Sequence, residues 1–333
     1  MRVADTVTLT GILLSLIITV LLTPLSAYGQ QAEKVARVGL LFPSTPAPWV
    51  AGMRIFRQRL LQLGWIEGQN LALDFRYADN KRDHLPVLAA ELVALKPDAI
   101  FAAGSVATRA VGGATTTIPI VFETLGDAVG LGLVPNLTRP GGTVTGVSGF
   151  SPELAAKQLE LIREVVPRAT RVAILANQGN VGMVTIVRPL ETAARQLGIR
   201  LDVVDVRRAD QFESAFEHMT RRGAEALVVL SDPMFTSHSR QIVTLAMRYR
   251  LPSAYELRDF AVAGGLLSYG PTTGERWEQV AHQVDRILRG TKAGDLPIQQ
   301  PTKLPLVINL KTAKALDLAI PHSVLLRADE VIQ

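Results

Sequence analysis

The chain has 333 residues, 48% of them hydrophobic and 20% charged, enough to bury more than one core of ordinary domain size. Its formal net charge of +5 is small for that length, and no dense Lys/Arg run is interleaved with aromatic rings, which argues against a nucleic-acid partner. It has no cysteine, so disulfides, thiolate catalysis, cysteine-held zinc and a cysteine-linked lipid anchor are excluded.

In chain order, Arg2 and the amino terminus precede the apolar run GILLSLIITVLL (11–22) and then TPLSAYG (23–29), with small residues at Ala27 and Gly29. This is the grammar of a secretory signal peptide, with cleavage expected after Gly29. Asp5 dilutes the positive start, and an uncleaved anchor is the alternative. Export without a lipid tether predicts a soluble periplasmic protein.

From residue 36 short apolar runs alternate with amphipathic stretches. ARVGLLF (36–42) reads as a strand, MRIFRQRLLQLG (53–64) as a helix and NLALDFRYA (70–78) as a strand. LPVLAAELVALK (85–96) is helical, DAIFAAG (98–104) a strand, SVATRAV a helix, and IPIVFET (118–124) and GTVTGVS (142–148) are strands. After the helix PELAAKQLELIREVV (152–166) the pattern restarts with RVAILAN (171–177), a helix to Gly198, and RLDVVDV (200–206). It continues through QFESAFEHMTRRG, ALVVLSD (226–232), HSRQIVTLAMRYR, LPSAY and LLSYG (266–270), then a helix over 275–289 and a last LVINLKTAKALDL.

Near-continuous apolar strands between helices predict parallel sheets covered on both faces. The fold class is therefore α/β, with two Rossmann-like lobes, one over 36–148 and one over 149–290. The remaining segment, from about 291 to 333, is expected to cross back and complete the first lobe. Open parallel sheets present ligands to the loops after the carboxyl ends of their strands, so two facing lobes predict a binding cleft between them.

Those loops supply the candidate ligand-binding residues. Ser44 and Thr45 follow the first strand and Gly104 and Ser105 the third; a hydroxyl at either helix start caps the helix or helps its free N–H groups hold an anion. Glu123 and Asp127 lie in ETLGDAVG, Asn177 and Asn180 in NQGN, and Ser231 and Asp232 in LSDP. Each aspartate reads as a helix cap or as a partner for a ligand amine. Glu256 offers a carboxylate for an ammonium group or a solvated surface charge. Trp49, Tyr255 and Tyr269 offer rings to stack on a ligand or to pack into the core.

Several chemistries lack their motifs. The spacing GPTTG (270–274) has no P-loop lysine, no G-x-G-x-x-G turn follows the first strand, and GVSGF (146–150) puts Phe150 where a hydrolase elbow has glycine. The five histidines form no metal-ligand pair, so no metal and no cofactor is expected, and no catalytic set is assigned. An exported α/β hydrolase remains as an alternative resting only on serines and aspartates at strand ends.

Taken together, RQRLLQLGWIEGQNLALDFRYAD, LAAELVALKPDAIFAAGS, IPIVFETLGDAVGLGLVPNLTRPGGTVTG, VLSDPMF, AYELRDFAVAGGLLSYGP and PTKLPLVINLKTAKALDLAIP resemble the ABC transporter substrate-binding proteins of the tryptophan/tyrosine-binding type. The resemblance runs in order over roughly 36–332. It implies a type I periplasmic-binding-protein architecture, two lobes joined by a hinge of crossing strands. It also implies a small-molecule solute, an amino acid or related carboxylate, held in the cleft and delivered by a monomer to a membrane permease, or alternatively to a membrane sensor. By analogy Ser105 and its neighbouring amides would hold the ligand carboxylate while Asp127 or Glu256 meets its ammonium.

Overall fold

A computed structural model of the protein describes residues 35–149, 151–180 and 183–333. The signal-peptide segment and Phe150 lie outside the described residues. Among those described, no helix is long and apolar enough to cross a membrane.

The strands are β1 (Ala36–Phe42), β2 (Leu71–Tyr77), β3 (Ala99–Ala103), β4 (Ile120–Thr124), β5 (Val144–Ser148), β6 (Arg171–Ala176), β7 (Arg200–Asp205), β8 (Ala226–Val229), β9 (Ser253–Tyr255), β10 (Leu267–Tyr269), β11 (Leu306–Asn309) and β12 (Glu330–Ile332). They form two sheets, a five-stranded one ordered β2-β1-β3-β4-β5 and a seven-stranded one ordered β12-β11-β10-β9-β8-β6-β7. Every pairing is parallel except β10 with β11. The α/β class and the two lobes are as the alternating pattern predicts.

The alternation of side chains along a strand explains the layering. In β1, Val38, Leu40 and Phe42 point into one apolar cluster with Phe56, Phe101 and Trp277, while Leu41 points into another with Leu92, Ile100 and Val111. In β6, Val172 and Ile174 join Leu159 and Leu190 on one face, and Ala173 and Leu175 join Phe212 and Phe216 on the other. Because both faces are buried, these strands read as unbroken apolar runs.

The chain termini correct the predicted lobe boundaries. Residues 291–300 do run along the first lobe: Leu296 packs in its core, its carbonyl accepts from Thr145 Oγ1 at 2.9 Å, and Gln299 bridges to Val147. From Leu306 onward the chain belongs to the second sheet, where β11 pairs with β10 and β12 with β11. Conversely the helix Thr273–Leu288, predicted for the second lobe, buries Trp277, Val280 and Val284 in the first lobe's core against the helix Val50–Gln62. Its apolar stripe matches that face, and helical periodicity says nothing about which sheet it covers. The chain thus passes between lobes three times: after Ser148, after Tyr269, and between Gln300 and Leu306.

Candidate functional site

The carboxyl ends of the two sheets enclose a cavity of about 100 Å³. Each strand brings its loop there for a local reason. Gly104, at φ +79°, turns β3 directly into the helix Gly104–Ala114, a backbone conformation that side chains with a Cβ resist. No side chain among the described residues caps that helix, so its first N–H groups remain available beside Gly104, Ser105 and Val106 in the cavity wall. Across from it, Asp232 ends the β8 loop and caps the helix Pro233–Ser237 by accepting from Met234 N–H at 2.9 Å.

The polar lining is buried and mostly paired. Glu123, at the end of β4, accepts from Arg276 Nη1 in an ion pair sealed from water on both sides. Burial pushes the Arg276 guanidinium down to about 10, which leaves it charged at neutral pH. Asp232 also receives Asn180 Nδ2 at 3.3 Å, and Arg82 Nη2 stands 3.6 Å away. Burial raises the Asp232 carboxyl, and Met234 N–H, Arg82, Asn177 and Asn180 oppose that rise. The apolar walls come from Trp49 and Trp277 of the first lobe and Met183, Ile186 and Leu257 of the second. The two indoles meet edge to face at 6.3 Å.

Of the residues picked from sequence, Trp49, Gly104, Ser105, Glu123, Asn180, Ser231 and Asp232 line this cavity. Others stand one layer behind. Ser44 is buried and accepts from Trp49 Nε1 at 2.8 Å, so its hydroxyl holds the indole, and Thr45 beside it is half-buried outside the cavity lining. Asn177 supports Asp232. Glu256 lies behind Ser231, which donates to it at 2.5 Å.

Three expectations are corrected. The Asp127 carboxylate folds back on its own turn, accepting from Val129 and Gly130 N–H at 3.0 Å, which takes it out of the cavity wall. Tyr255 is turned into the second lobe's core, stacked on Phe260 at 4.6 Å with its hydroxyl donating to Ser253. Tyr269 packs against the same lobe's other core face and is likewise absent from the lining. Neither tyrosine offers its ring to the cleft.

Sequence reasoning missed Arg276, Trp277, Met183 and Arg82. None directly follows a strand, the position that marks a candidate in the sequence. Arg276 lies in the first turn of a helix that reaches the cavity only because it packs on the other lobe.

Comparison with known proteins adds the family. The profile described as ABC transporter substrate binding protein matches residues 51–332. A tyrosine-binding protein of Clostridioides difficile (strain R20291) is 25% identical over 263 residues, covering 79% of this chain and 75% of that protein. Among solved structures, an ABC domain in complex with L-Trp from Streptococcus pneumonia superposes with a TM-score of 0.83 at 24% identity, over 89% of this chain and 99% of that one. The ligand-free, open structure of a substrate binding protein with adhesive properties from Clostridium difficile superposes with a TM-score of 0.65 at 22% identity, over 90% and 100%. With its two α/β lobes and its matched length, the chain belongs to the ABC transporter substrate binding protein family.

Proposed function

We propose that the protein is an exported receptor that captures an amino acid in the cavity between its lobes, closes on it, and presents it to the permease of an ABC importer. The observation that carries this reading is the polarity of the cavity. The first lobe contributes an uncapped helix start at Gly104–Val106, which suits a carboxylate, and the second contributes buried Asp232, which suits an ammonium. Asp232 takes the ammonium role expected of either Asp127 or Glu256. Apolar walls that include two indoles suit an aromatic or large aliphatic side chain. The tyrosine-binding relative supports the same class of ligand.

Closure has a direct energetic basis: a ligand that touches both walls binds only when they face each other, so its differential affinity draws the lobes together. The site is read as binding its solute without making or breaking bonds. A monomer leaves the outer faces of both lobes for the permease, and the leader over 1–29 is read as the export signal.

The test is a thermal-shift and calorimetric screen of the chain from Gln30 onward against the proteinogenic amino acids, simple carboxylates and sugars. L-Tryptophan, L-tyrosine or a large aliphatic amino acid is expected to raise Tm, by the equivalent of about 2.7 kcal/mol at 100 times Kd. Asp232→Asn is expected to weaken that ligand by about tenfold or more. A shift by sugars alone, with no amino acid binding, would overturn the reading.

A further inference from the structure

Resting on the amino-acid reading above, we propose that Arg276 is a ligand-binding residue whose guanidinium takes the ligand carboxylate on the edge that Glu123 leaves open. Arg276 is 5% exposed and stands in the cavity wall. A buried guanidinium is tolerated where its donors find acceptors, because desolvating the charge is costly. Here Nη1 is served by Glu123, yet Nε, sealed from water, has no acceptor among the described residues. Guanidinium is a planar fork of five donors, and a carboxylate matches one of its edges with two parallel hydrogen bonds.

Arg276 stands in the same cavity wall as the helix start at Gly104, Ser105 and Val106, which no side chain among the described residues caps. Two electropositive features from separate elements therefore converge from the first lobe, and Asp232 opposes them from the second. That polarity sets the orientation of the ligand and its class, an α-amino acid with both charges free. Glu123 is a positioning residue here: it holds the guanidinium in place and neutralises it while the cavity is empty. The amide and the ester offer the guanidinium a single neutral carbonyl oxygen in place of two charged ones, and the decarboxylated amine offers none, so the site discriminates against all three.

The experiment is calorimetric titration with L-tryptophan or L-tyrosine, whichever binds, beside its amide, its amine and the carboxylate lacking the amino group, such as indole-3-propionate. Wild-type protein is expected to prefer the amino acid over its amide by about 10- to 100-fold, the range for hydrogen bonds to a charged partner. Arg276→Gln should bring the amino acid down to the level of the amide and leave the amide nearly unchanged. Arg276→Lys, a point charge in place of a fork, should fall between. Since Arg276→Gln strands Glu123 without a partner, the neutral pair Glu123→Gln/Arg276→Gln is measured alongside, with folding checked by circular dichroism.

A variant that keeps the preference for acid over amide, or weakens both ligands equally, overturns the proposal and makes Arg276 structural. If no amino acid binds but indole-3-propionate does so in an Arg276-dependent way, the amino-acid reading falls and the carboxylate site stands. If no carboxylate binds wild-type protein, both fall.

Discussion

Glu256 shows what burial does to one carboxyl group. It lies behind the cavity wall with Ser231 donating to one oxygen while the other, Oε1, is sealed without a partner among the described residues. Burial pushes its pKa up to about 7, against which the Ser231 hydrogen bond acts only in part. The folded state therefore holds the proton more tightly than the unfolded chain, where an ordinary glutamate ionises near 4.5. Stability falls as pH rises through that window and levels off above about 7, with a total loss of about 3 kcal/mol. Glu256→Gln removes the titration. Urea denaturation is expected to find the variant more stable than wild type at pH 8 and close to it at pH 5. An unchanged difference at the two pH values would mean that Glu256 keeps its charge when folded. Asp127 and Asp232 sit in similar strand-end loops and both accept from the backbone just after them, yet only Asp232 also faces the cavity. Nothing in either tripeptide, GDA or SDP, separates them; the elements packed around each loop do.

At the scale of elements, the contact between the helices Val50–Gln62 and Thr273–Leu288 shapes the first lobe's wall of the cavity. Gly52 is the point of closest approach: a Cβ built there would lie 2.1 Å from two atoms of the Trp277 indole. Alanine is the better helix former by about 1 kcal/mol, but a rigid indole at that distance must move, and overpacking of this kind costs about 1–3 kcal/mol. Gly52→Ala is therefore expected to lower stability in denaturant titrations despite its helix propensity. Because Trp277 also lines the cavity, ligand affinity is expected to fall with it. A stabilised variant with unchanged affinity would refute the tight-contact argument. The start of the second helix was readable, since Thr272 caps it by accepting from Glu275 N–H at 3.3 Å. Which lobe it covers was not, because that depends on Trp277 meeting Gly52 more than two hundred residues away.

At the scale of the molecule, Arg82 of the first lobe reaches across to Asp232 and Gly179 of the second. Its Nη2 is 3.6 Å from the Asp232 carboxylate, and its Nη1 would lie 3.1 Å from a Cβ at Gly179. The arginine is 37% exposed while the aspartate is 2% exposed, so the pair sits at the rim with one partner shielded from water. Under the proposed closing mechanism, a cross-lobe ion pair would favour the closed arrangement before any ligand arrives, by about 1 kcal/mol for a half-screened pair. Arg82→Ala is expected to shift ligand-free protein toward a larger radius of gyration in small-angle scattering. It should also weaken every ligand alike, by about fivefold, with less dependence on salt than wild type shows. Scattering and affinity both unchanged would remove Arg82 from the proposed closing mechanism.

The amino-acid sequence by itself determined the run of strands and helices, the α/β class and the strand-end loops as the place of the site. Each of these rests on local periodicity or on which residues can follow a strand, and β1 to β7 lie within a few residues of the predicted spans. Tertiary structure alone decided that the helix Thr273–Leu288 joins the first lobe and β11 and β12 the second. It also decided that Tyr255 and Tyr269 face cores, and that Glu123 meets Arg276 across 153 residues of chain. The physical reason is common to all of these: an apolar stripe or a buried charge requires a partner, but its own segment does not specify which distant surface supplies it.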